Sequence, residues 1–202
     1  MMRARPKGRG VRAGARRGGG SALKGLVAGA IGGLAAAFVM NQFQAAWGRV
    51  AAGEERSHGA QSLQQGTPQK GVGRDLQAEG VDRPTDDATE RLANAISVGV
   101  LERGLTEREK ETAGTAFHYA MGLASGAIYG VAAELIPAAK AGAGMPFGMA
   151  VWLIADEGIV PAAGLSKSAD EYPLSVHAYS ITSHLVFGLA AETVRRAVRR
   201  VL

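Results

Sequence analysis

The stretch GLVAGAIGGLAAAFVMNQF, Gly25 to Phe43, runs nineteen residues without a charge. As an α-helix it rises about 28 Å, close to the hydrocarbon thickness of a bilayer. That length points to an all-α integral membrane bundle, with the first transmembrane helix at 25–46 and Trp47 anchoring its outer end at the interface. A secretory signal is the rival reading, but the apolar run exceeds a usual signal core and no small-x-small cleavage site follows it. Before it, residues 1–24 carry eight Arg or Lys and no acid, interleaved with glycine as RPKGRGVRAGARRGGG, which reads as a flexible basic tail.

After it the character reverses. Residues 47–112 form a polar loop with scattered Gln, Gly and Pro, in which His58 reads as a solvated side chain. Within it, residues 85–103 read as an amphipathic helix. Asp86 and Asp87 suit its first turn, Leu92, Ile96 and Val100 recur every four residues to lie on something apolar, and Gly104 stops it. Thr106 and Glu109 then make the capping-box pattern that starts the next helix.

Residues 113–200 read as a three-helix membrane region with spans at 113–137, 142–164 and 174–195. The middle of these, with Pro146 and Pro161, is the weakest. Four spans alternate sides, so the tail, the link at Lys140 and the C-terminus share one side. That side carries thirteen basic residues outside the spans and no acid, whereas the other carries ten against fourteen acids. The positive-inside rule puts both termini in the cytoplasm and the acidic loop outside. The same rule accounts for the basic tail more simply than nucleic-acid binding does, so the lipid bilayer is the expected partner, with a homo-oligomer or a membrane partner as further options.

Small residues every four positions let membrane helices approach closely. Gly25, Gly29 and Gly33 form such a row in the first span, and Gly114, Gly122, Gly126 and Gly130 form one in the second. The third span offers Gly144 and Gly148, and the fourth Gly188. Ionisable residues extend these rows. His118 and Glu134 flank the second, Asp156 follows Gly144, Gly148 and Trp152 on the third, and His184, Gly188 and Glu192 share the fourth with His177 two turns earlier. Glu157, one residue after Asp156, is turned about 100° away and reaches that face only at its edge. Gly158 and Pro161 allow the helix to unwind there and admit water to both acids.

Two readings of these residues stand side by side. His118, Glu134, Asp156, Glu157, His177, His184 and Glu192 either handle protons or cations, since imidazoles titrate near neutrality and intramembrane acids are costly, or clamp helices together, with Glu134 and Glu192 pairing Arg195 and Arg196. Three histidines with a carboxylate would also suit a divalent metal. There is no cysteine, which removes disulfides and thiolate chemistry. No P-loop, HExxH or nucleophile elbow is present, so neither an enzyme nor a bound cofactor is expected.

Taken together, His118, IYGVAAELIP at 128–137, the P-x-x-G-L of Pro161 to Leu165, and SHLVFGLAAETVRRAVRR at 183–200 resemble the YagU-type bacterial inner-membrane proteins. The resemblance covers residues 113–200, together with the layout of one earlier span and an outer loop. It implies a multi-pass protein of the bacterial inner membrane and brings no established activity. The long Gly/Arg tail, the more polar outer loop and the acid pair at 156 and 157 are features of this chain.

Overall fold

The computed structural model describes residues 10–51, 68, 70–83 and 86–202, with side chains of the first helix over 21–49. His58 lies outside the described residues, as does the tail before residue 10. All regular structure among the described residues is helical, without a strand. α1 spans Gly10–Ala51, α2 Val72–Ala78, α3 Ala88–Leu101 and α4 Glu107–Leu135. A 3-10 segment Pro137–Gly144 leads into α5, Met145–Ile154. A π-helical turn Ala155–Ile159 and the short α6, Val160–Ala162, follow; a 3-10 turn Ala169–Glu171 precedes α7, Leu174–Val201.

Two of these segments are long and apolar enough to cross a membrane, Ser21–Arg49 and Pro137–Ala162. The third expected span, read as the weakest, therefore meets that measure, whereas α4 and α7 do not. Both are long enough, but α4 opens on EREKE and α7 closes on RRAVRRV, and serines, threonines and histidines interrupt both. α1 begins at Gly10, well inside the expected flexible tail.

Glycine decides the packing. A Cβ on Gly29 would fall 2.7 Å from the Gly130 Cα, and one on Gly126 would fall 2.6 Å from the Gly33 Cα, so α1 and α4 touch backbone to backbone. The pairs Gly25 with Gly130 and Gly33 with Gly122 continue the contact, which makes the two helices antiparallel. Gly144 and Gly148 of the third segment meet Gly188 and His184 of α7 in the same manner. Gly114 does not join its row against α1; it meets Thr89 and Glu90 of α3. Gly32, outside every expected row, admits Ala191 of α7. Between these seams Ala36, Ala37 and Met40 pack on Phe187 and Ala191.

The outer segment docks as a cap. Asp87 is the N-cap of α3, accepting from Thr89 N at 2.7 Å and Glu90 N at 2.9 Å, while Glu90 accepts from Asp87 N at 2.9 Å. Thr106 and Glu109 close the expected capping box on α4. α3 ends at Leu101, where Glu102 takes the left-handed conformation (φ 55°) ahead of Gly104. Its orientation differs from the expectation. Ile96 and Val100 face outward, and the buried face carries Arg91, Asn94 and Ser97. The reason is a polar core. Lys110 donates to Asp86 at 2.6 Å and to the Val81 carbonyl at 2.7 Å, and Asn94 donates to Asp82 at 2.5 Å. Arg91 donates to the Leu165 carbonyl at 2.9 Å, which ties the cap to the end of the third segment.

Candidate functional site

Asp156 and Glu157 lie in the π turn Ala155–Ile159. Pro161 supplies no N–H to the preceding turn and its ring crowds a carbonyl there, a strain that a widened turn relieves. The helix thus widens where unwinding was expected. A wider turn advances each residue through less than the 100° of an α-helix, so both acids face α7 rather than Asp156 alone. Ser180 donates to Asp156 Oδ2 at 2.8 Å, and His177 Nδ1 lies 2.8 Å from Glu157 Oε1.

His177 sits between two acceptors: its Nε2 lies 3.0 Å from the Ala169 carbonyl and its Nδ1 faces the Glu157 carboxylate. His184 Nδ1 donates to the Ser180 carbonyl at 2.9 Å and lies 3.7 Å from Asp156 Oδ2. Ser180 is thereby shared: its hydroxyl serves Asp156 and its carbonyl serves His184.

Asp156, His184 and His118 line one cavity of about 240 Å³, roofed by Ala88, Thr89 and Leu92 of α3. His118 Nε2 is buried without a hydrogen-bond partner among the described residues. Three of the expected residues thus converge. Glu157 and His177 stand beside that cavity around a second small pocket, to which Asp156 also belongs. Among the described residues no three His, Asp or Glu side chains are placed to share a metal ion.

Glu134 and Glu192 belong elsewhere. Glu192, 1 % exposed, accepts from Arg195 Nε at 2.6 Å, from Arg196 Nε at 2.5 Å and from Tyr129 at 3.0 Å. Glu134 accepts from Arg199 Nε at 2.8 Å and from Ser21. Lys24 reaches the Leu202 carbonyl at the same end. These two acids are clamps that join α1, α4 and α7.

In the cap, burial pushes Glu90 up to about 7 against the backbone hydrogen bond from Asp87, and burial likewise raises Asp82 despite Asn94 and Lys110. Burial works against the Lys110 ammonium, yet Asp86 holds it above the ordinary lysine range.

A family model described as protein of unknown function (DUF1440) matches residues 78–193. The chain belongs to the DUF1440 family. No curated protein and no solved structure matches it. The DUF1440 region takes in α3, α4, the broken third segment and most of α7, and so contains every residue of the cavity except those of α1. Gly25, Gly29 and Gly33 lie outside it but face its glycine row.

Ser180, Arg91, Lys110 and Arg199 escaped sequence reading. A serine in an apolar helix and basic residues in a polar loop or tail are common solvated or neutral features, and only the tertiary contacts distinguish these. Tyr129 carried a faint signal, since it lies on the face of α4 that holds Gly122 and Gly126.

Proposed function

We propose that this DUF1440 protein is a four-span protein of the bacterial inner membrane that takes up and relays protons or small cations at the cavity of His118, Asp156 and His184. The observation that carries the reading is that two histidines and an acid from three separate helical segments line one cavity, with the hydrogen-bonded Glu157 and His177 pair beside it. Ser180 holds the two inner groups together, its hydroxyl donating to Asp156 and its carbonyl accepting from His184, so that His184 Nδ1 stands 3.7 Å from Asp156 Oδ2.

Membrane placement is supported by an inverted distribution of side chains. Ile128, in mid α4, is 72 % exposed, and Ile31, Phe38, Leu153 and Ile154 also face outward, while Glu192, Arg195, Ser183 and His184 are buried. An apolar exterior around a polar interior suits lipid as solvent. Outward Ile96 and Val100 on α3 would then rest at the interface. Ser21, Glu134, Lys140 and Arg199 gather at one end of the bundle, as termini on one side of the membrane require, the basic excess there favours the cytoplasmic side, and the likeness to YagU-type proteins supports the inner membrane.

A second reading, a non-catalytic packing protein, is favoured by the glycine seams. They face one another within the chain, so this reading gives the bundle itself as their purpose and leaves the exposed belt for a homo-oligomer or membrane partner. Proteoliposomes holding an interior pH dye separate the two. Wild-type protein is expected to collapse an imposed pH gradient faster than an Asp156→Asn/His184→Ala variant, and leakage equal to that of empty liposomes from both contradicts proton relay.

A further inference from the structure

We propose that the same cavity binds a small organic cation, a primary ammonium on an apolar body; the proposal rests on the reading of this cavity as the cation-handling site and names what class of cation fits it. The walls decide the body. Met40, Leu92, Val151 and Phe187 are among the lining residues, and among the described residues the polar contributions beyond His118, Asp156 and His184 are Thr89 and Ser125. Apolar walls cannot replace the hydration shell of a bare inorganic ion, which needs several oxygen ligands. A volume of about 240 Å³ accommodates a phenyl or short alkyl group.

The unpartnered atoms decide the head. His118 Nε2 is buried without a hydrogen bond. With the ring hydrogen on Nδ1, this nitrogen presents a lone pair to the cavity, which accepts. Asp156 uses Oδ2 for Ser180, and its Oδ1 makes no hydrogen bond among the described residues. Two acceptors on one cavity, one of them a carboxylate, match a cationic N–H donor and oppose an anion. Met121 and Ile159 line the cavity and are also 52 % and 59 % exposed, so the mouth is rimmed by the apolar belt and the ligand enters from the lipid side.

The test uses the full-length protein in detergent and the ¹⁹F signal of 4-fluorophenethylammonium, with 2-(4-fluorophenyl)ethanol as its uncharged counterpart and the N,N,N-trimethyl analogue as a cation without N–H. Saturable binding of the ammonium at least tenfold tighter than the alcohol is expected. Asp156→Asn should remove that advantage, while Asp170→Asn, an exposed acid outside the cavity, should keep it. Met121→Trp at the mouth should block both ligands in a protein whose interior is untouched. Equal binding of ammonium and alcohol overturns the proposal, as does an Asp156→Asn variant that retains the preference, or a trimethyl analogue that binds as tightly as the primary amine. Ligand binding and proton flux are separate readouts: absent binding with intact flux removes this inference alone, and intact binding with absent flux removes proton relay alone.

Discussion

His177 and Glu157 meet at 2.8 Å, and the same imidazole reaches the Ala169 carbonyl with its other nitrogen. One side chain of α7 thus binds both the π turn and the 3-10 turn that follows it. Glu157→Gln keeps a side chain that can hydrogen-bond Nδ1. Its expected cost is small, within about 0.5 kcal/mol. His177→Ala leaves an acid unpartnered and should cost about 2 kcal/mol. Thermal unfolding of the two variants in detergent checks the difference, and equal losses would remove the pair as a structural unit.

Gly126→Leu should unfold or expand the bundle. Its side chain would enter the space of the Gly33 backbone, and overpacking against backbone should cost about 3 kcal/mol or more. Gly99→Ala, in α3 where a Cβ meets nothing, should instead stabilise by about 0.5 to 1 kcal/mol. Melting temperatures moving in opposite directions would bear this out; a tolerated Gly126→Leu would sink the account of the α1 and α4 seam.

Lys110→Met should loosen the cap. The substitution leaves Asp86 and Asp82 buried without their cation, a loss of about 3 to 5 kcal/mol for a broken buried pair. Hydrogen exchange of α3 amides reads it directly, and unchanged protection there would contradict the role given to Lys110.

The pH dependence of the cap follows from Glu90. Its pKa is raised from 4.5 to about 7 by burial, so between those values the folded state binds more protons than the unfolded one. Stability from this group is therefore present below pH 4.5 and declines as pH rises toward 7, then levels off. Asp82 adds the same sign, whereas Glu109, lowered to about 2 by Arg103 and Thr106, acts only as pH falls below its ordinary value. Glu90→Gln keeps an acceptor for the Asp87 amide and should flatten the decline. An unaltered pH profile of α3 exchange in that variant would refute the assignment.

The parts of this fold that show in sequence are those that rest on local spacing. Gly25, Gly29 and Gly33 announce a close approach because nothing but small residues permits one, and Thr106 to Glu109 announces a helix start within four residues, whereas Asp87, read as part of the first turn of α3, is its N-cap. Partner choice is not local: that Gly114 turns to α3 while Gly122 turns to α1 depends on where the cap docks. The face of α3 was misread for the same reason. Its apolar row looked like the buried one, but Arg91 and Asn94 find Leu165, Asp82 and Val81 inside, and those contacts span many residues of chain. Pro161 signalled a disturbance near Asp156 and Glu157, yet only the structure shows that the helix widens and so brings both acids to α7.

Because the chain has no cysteine, single cysteines report topology cleanly. In inverted and right-side-out membrane vesicles, a cysteine at Lys140 should react with a charged maleimide only from the cytoplasmic face, and one at Lys167 only from the outer face. Both reacting from one face would contradict the four-span topology.

The most direct measurement is proton flux through purified protein in liposomes with an imposed acid-outside gradient and an interior pH dye. The account predicts that wild-type protein and Asp170→Asn acidify the interior at the same rate, above that of empty liposomes, and that Asp156→Asn falls to the empty-liposome rate. Wild-type flux equal to that of empty liposomes, or undiminished flux through Asp156→Asn, would contradict it.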